Sequence, residues 1–392
     1  MDTTDAVISL TKTKIKTQNV SAVKCFCATS GQLTVDGASK LICGKKADET
    51  DGYTYSSGNT YYVMQMEDIF KSAVNSVNDV TLKLQNDTTL NLDEFVNVNG
   101  KKIRVDTNGY SLTTTGKMDK TVEIINTDAH YTEGEKSVYC TLRNAVNMSN
   151  SATANAEILI LQNITTDGLQ EFKNANSAEI TVDGNGKTVT TTKGSGANNN
   201  AFKITSAYTG KNAAFKNMVI EHRQTQALFQ VQAAGITLDL SDIEVKTDKS
   251  INYQYGLINL EKTSDLVLER VNVTLQAGSG SDKNSNAIIR TGNDSYPNVD
   301  NSKTVNITIN DCNLDASGAA ARNGILIMNT TKAKININNS NITVSSGAYV
   351  INRLLGALTT EDIKNNTDVY VEGESKLKAG TDTSLDTVIR NI

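Results

Sequence analysis

The sequence predicts an all-β chain of short stacked strands, and three observations predict it. A pattern of apolar residues at offsets 0, 2, 4, 7 and 9 recurs in seven stretches after residue 78, complete in two of them and with one or two non-apolar residues in each of the other five. The residue at offset 6 is Asn, Asp or Gly in all seven. The 392 residues include 48 Thr and 44 Asn but a single Pro, which suits pleated strands whose backbone must donate to neighbours on both sides.

Taken in order, residues 1–64 read as a small N-terminal β module, with apolar runs at 6–10, 20–26, 32–35 and 41–42. It ends in Tyr53, Tyr55, Tyr61 and Tyr62, a candidate attachment patch. Ile69, Phe70, Ala73 and Val74 then share one side of a helical spacing, which predicts a helix over about 66–77. Residues 65–392 follow as one stacked domain that this helix caps.

The repeat carries the argument. Offsets 0 to 9 select Ile236, Leu238, Leu240, Ile243 and Val245, and likewise Val305, Ile307, Ile309, Cys312 and Leu314. Copies start also at Leu266 and Ile335, and weaker ones at Ile103, Ile180 and Lys211. Alternation by two puts one face of a strand inward. The odd step from 4 to 7 would flip the later residues outward unless the chain bends between them. Gly109, Gly186, Asn217, Asp242, Asn272, Asp311 and Asn341 stand at that bend. Asn, Asp and Gly tolerate a left-handed backbone there. Stacked, the side chains Asn217, Asp242, Asn272, Asp311 and Asn341 would form a corner ladder. From Lys211 onward the copies lie 25, 30, 39 and 30 residues apart, with second apolar runs between them at 227–229, 256–258, 287–289, 324–327 and 348–351. Each repeat therefore carries about three short strands; a series of β-sandwiches is the competing architecture.

The rungs 236–245, 305–314 and 335–344 with their Asn/Asp corners resemble the right-handed parallel β-helix, or pectate-lyase-like, superfamily. The segments 80–87 and 103–112 resemble the first coils of bacterial surface β-helix adhesins, where a helix caps the solenoid. The resemblance covers about residues 66–380 and implies a right-handed parallel β-helix. It says little about activity, because the fold hosts lyases, hydrolases, adhesins and virion spikes.

Catalytic members of such a fold need paired carboxylates, or acidic calcium ligands with an Arg base. Asn126-Thr127-Asp128 matches one element of a polygalacturonase site, and the others do not appear. Asp239, Glu244 and Glu269 face outward by parity, as surface charges do. His130 and His222 have no recognisable nucleophile motif beside them, and 183–187 reads as a turn rather than a phosphate loop. Cys25, Cys27 and Cys43 lack a fourth metal ligand, and with Cys140 and Cys312 they read as reduced thiols. No catalytic residue, metal or cofactor is expected. The sugar-stacking candidates are Tyr253, Tyr255 and Tyr296 in polar loops; packing against the protein or a partner subunit is their plainer use.

The net charge of -5 argues against nucleic acid, and no run approaches the ~18 apolar residues of a membrane span. No secretory leader is visible in residues 1–20, so a chain starting at Met1 would mature in the cytoplasm. These expectations point to a non-enzymatic structural protein, foremost a bacteriophage virion component. Residues 1–64 would bind other virion proteins, and the projecting β-helix would self-associate, as a trimer by analogy, and contact surface polysaccharide. A secreted bacterial adhesin is the alternative, and a polysaccharide lyase or glycoside hydrolase ranks third.

Overall fold

A computed structural model describes residues 7–10, 14–18, 32–35, 40–44, 53–56, 60–63, 79–84, 86–94, 100–192, 201–223, 227–247, 256–275, 287–292, 304–318, 323–327, 332–353 and 366–390. They are mostly β, in long sheets of parallel strands. The chain forms two compact units, residues 1–145 and 146–392; the apolar pattern of the sequence suggests a boundary near residue 64. The helix predicted over 66–77 lies outside the described residues, as does the run 20–26.

In the first unit a seven-stranded sheet runs from Lys14–Gln18 through Lys40–Gly44, Tyr53–Ser56, Thr60–Val63, Val80–Leu84 and Ile103–Asp106 to Val122–Ile125. Tyr53–Ser56 and Thr60–Val63 pair antiparallel, and Thr60–Val63 pairs in parallel with Val80–Leu84. Val80, Leu82 and Leu84 are buried and the residues between them half-buried, the signature of one inward face. A hairpin of Ala129–Glu133 and Lys136–Cys140 turns at Gly134, φ +55°. The helix Leu142–Ser149, which runs from the end of the first unit into the second, starts where Asp128 Oδ2 accepts from Leu142 N (3.3 Å) and Thr141 Oγ1 from Asn144 N (3.2 Å), which satisfies two of its unpaired donors.

In the second unit the chain visits three parallel ladders in a fixed order, eight times over. The first ladder aligns Ile158, Val182, Phe215, Leu240, Leu268, Ile309, Ile337 and Val371. The second aligns Ile164, Val189, Ile220, Val245, Val273, Leu314, Ile342 and Leu377. The third aligns Gln170, Phe202, Phe229, Ile258, Ile289, Ile325, Ile351 and Ile389. Eight strands at parallel spacing span about 34 Å. The interior is aliphatic, with Leu266, Leu268, Ile307, Ile335 and Ile342 at 0 % exposure. Each such side chain contributes about 1.5–3 kcal/mol by leaving water. Four phenylalanines fill the earlier repeats: Phe215 contacts Phe172 edge-on at 5.5 Å, Phe229 at 4.9 Å and Phe202 at 5.2 Å.

The bends between the first and second ladders follow the backbone logic of the sequence, with two shifts of place. Asn217, Asp242 and Asp311 have φ of +56°, +54° and +53°. In the other two repeats the left-handed residue is Arg270 (+53°) or Asn339 (+48°), whereas Asn272 and Asn341 begin the strands Asn272–Thr274 and Asn341–Val344. Leu238 pairs with Leu266 and Ile307 with Ile335, so the copies starting at Leu266 and Ile335 are set two residues late in the sequence alignment. A shift of two leaves strand alternation intact, so hydrophobic pattern cannot detect it. The spacings from Asp242 to Arg270 and from Cys312 to Ser340 are 28, and from Asp265 to Asn306 it is 41. The bend column therefore reads Gly186, Asn217, Asp242, Arg270, Asp311, Asn339, Gly373. In the copy starting at Ile103, Asn108 and Gly109 take positive φ, and Tyr110 is 37 % exposed rather than inward.

Candidate functional site

The outward side chains of the first two ladders tie successive repeats together. Lys216 Nζ lies 3.7 Å from Glu157 and 3.4 Å from Asp183, bridging two neighbouring strands. Asn306 donates twice to Asp265 Oδ1, from its backbone N (2.9 Å) and Nδ2 (3.0 Å). At the bend, Asn217 Nδ2 donates to Asp183 (3.3 Å), and Asn339 Oδ1 accepts from Glu374 N (3.2 Å). Arg270 grips Asp242 through Nε (2.6 Å) and Nη2 (2.9 Å) and reaches Glu269 through Nη1. The bidentate pair holds the Asp242 carboxyl below its ordinary range and the guanidinium above its own. It also explains how a long side chain sits at φ +53°, where other repeats use Asn, Asp or Gly: its head is fixed one strand below. The corner contacts are thus mixed donors and carboxylates.

The third ladder is different. Gly256–Leu260, Ala287–Thr291 and Asn323–Ile327 are buried at all five positions, so both faces of this sheet are covered. Its outward column aligns Glu171, Lys203, Gln230, Asn259, Arg290, Leu326, Asn352 and Arg390. Buried polar groups need partners, and at Glu261 they converge. Gln230 Nε2 (2.5 Å) and Asn259 Nδ2 (3.4 Å) reach its Oε1, and Gln232 Nε2 reaches its Oε2 (2.9 Å). Glu261 is 9 % exposed, Asn259 3 % and Arg290 2 %. Three amides from two repeats thereby occupy both oxygens of one carboxylate. Burial pulls Arg353, on the inward face at the end of this ladder, below its ordinary range. Sequence reading passed over this cluster because Gln and Asn carry no catalytic motif. Its one signal was polar residues where a buried parallel strand should be apolar throughout.

The chemistry sought in the sequence falls in scattered places. Asp239 is raised first by burial and then by Glu269, and among the described residues no group of His, Cys, Asp and Glu could hold a metal. Thr127 of the Asn-Thr-Asp match bonds Cys140 O (3.0 Å), and Asp128 caps the helix. His130 stacks on Tyr139 at 4.3 Å and places Nε2 2.8 Å from Ser137 Oγ across the hairpin, a proximity that sequence separation hid. Ser137 Oγ is also 3.0 Å from Thr114 Oγ1, so the hydroxyl belongs to a three-strand polar chain. His222 is fully buried, with Nδ1 2.8 Å from Thr191 Oγ1. Burial pushes the thiol of Cys140 up to about 12 and that of Cys312 to about 11, which keeps both protonated and unreactive at neutral pH.

Tyr53 pairs with Cys43, Tyr55 with Leu41 and Tyr61, and Tyr62 with Thr54 and Lys83, which places the proposed attachment patch on hydrogen-bonded strands. Tyr253, Tyr255 and Tyr296 lie outside the described residues. No helix among the described residues is long and apolar enough to cross a membrane. No family model, curated protein or solved structure matches the chain.

Proposed function

We propose that the chain is a non-enzymatic structural protein whose second unit winds as a right-handed parallel β-helix and displays a stiff surface. The observation that carries this reading is the use of outward polar side chains. Lys216, Arg270 and Asn306 join one repeat to the next, as a load-resisting stack requires. The fixed three-ladder order, with a left-handed residue at each first bend of the later repeats, supports the winding.

Within that class, the reading is a bacteriophage fibre, spike or capsid decoration. Residues 1–64 contact other virion proteins, and Tyr253, Tyr255 and Tyr296 contact surface glycans. Mass spectrometry of particles purified from cells carrying the gene tests it. The chain should be recovered in fixed stoichiometry with the other particle proteins. Its absence from particles, with recovery at the cell surface instead, would replace the virion by an adhesin. Release of reducing or unsaturated sugar from a glycan panel would overturn the non-enzymatic assignment.

A further inference from the structure

The last repeat of the second unit differs from the others at its edge. Among the described residues, Thr367–Glu372 pairs only with Lys332–Asn338, and Lys376–Ala379 pairs as a ladder only with Asn341–Val344. Inward Val369 and Val371 are only half-buried, whereas Ile335 and Ile337 beneath them are at 0 % and 1 %. Tyr370 is 45 % exposed, and Leu385 on the adjacent helical turn 52 %. An open parallel edge with exposed apolar groups invites another strand.

Charge says which strand fits. The arm before the bend is acidic, with Asp368 and Glu372, and the arm after it is basic, with Lys376 and Lys378. This bend also has one residue more than its neighbours: Asn338 pairs with Glu372, but Asn341 with Lys376. The extra residue puts the inward positions of both arms on odd numbers: Val369, Val371 and Leu377. We propose that two copies of the chain dock here tail to tail, about a two-fold axis through the bend. Each copy's 370–372 then runs antiparallel to the other's 376–378. This sets Glu372 against Lys376, Val371 against Leu377 and Tyr370 against Lys378, each pair occurring twice. Parity keeps apolar side chains opposite apolar ones and places a Lys beside an exposed aromatic face. Glu374 meets its own counterpart at the axis, the one repulsive contact in this register.

Sedimentation velocity of the full chain across a concentration series, at low and high salt, tests the proposal. The wild type should form a dimer that salt weakens. E372K should weaken it about tenfold or more, by placing two lysines together twice. E372K/K376E, which exchanges the charges, should restore it, and E374Q should tighten it. Circular dichroism checks that each variant folds. A monomer at every concentration overturns the proposal, whether the edge is covered within the chain or left bare. So does a trimer, or a dimer indifferent to E372K.

Discussion

The first and third ladders of the second unit stack the same way yet solve opposite problems. In Thr237–Thr247 buried residues alternate with exposed or half-exposed ones, and exposed Asp242 and Glu244 pair with Arg270 and Lys246. In Ala287–Thr291 every residue is buried, including Arg290. A one-faced ladder needs only period-two patterning. A two-faced ladder that carries polar groups must find partners for them inside, and the Glu261 carboxylate does so for the amide donors of Gln230, Gln232 and Asn259. The first kind of ladder tolerates surface exchange. The second is sensitive to single polar substitutions.

Several changes would sharpen that contrast. Phe215→Ala removes the ring shared by three others, and chemical denaturation should show a loss of about 3–5 kcal/mol. Glu261→Ala removes the acceptor of buried Asn259 and of half-buried Gln230 and Gln232 and should cost about 1–3 kcal/mol, where an outward carboxylate on the first ladder would cost less. At the bend, Asn217→Val should cost about 1–2 kcal/mol and Asn217→Gly little, because φ there is +56°. The same Val at Asn272, an exposed strand position, should change stability by less than about 0.5 kcal/mol.

The smallest effect is on pH. The thiols of Cys140 and Cys312 are raised from 9.0 to about 12 and about 11, and burial raises Tyr131 and Tyr208 in the same direction. A raised acid keeps its proton in the folded state, so this stabilisation is complete below the unfolded thiol value. It falls as pH climbs toward the folded ones. Denaturant midpoints should hold to about pH 9 and decline above it, and Cys312→Ala should flatten part of that decline.

Much of this was legible from residues alone. Alternation placed Ile236, Leu238, Leu240, Ile243 and Val245 inward, and all five are buried. The odd step located a bend, and Asn217, Asp242 and Asp311 stand there with left-handed backbones. What was not legible has physical reasons. Two repeats could slide by two residues without disturbing alternation, and Arg270 replaces the expected small residue because Asp242 holds it, a contact between residues 28 apart. The third ladder looked like any apolar run, since burial of its outward face depends on what covers it. The Glu261 cluster draws on two repeats whose separation no local motif spans.

Cysteine cross-linking tests the register of the stacked parallel repeats most directly. Thr308 pairs with Asn336, both on the outward face, while Asn338 is where the sequence spacing of 30 would place Thr308's neighbour. Cα partners across a parallel ladder are within disulfide reach, whereas positions two residues out of register are not. Under mild oxidation T308C/N336C should form a bond, identified by mass spectrometry of the linked peptides, and T308C/N338C should not. Linkage of the second pair and not the first would contradict the register, and with it the bend column and the stack built on it.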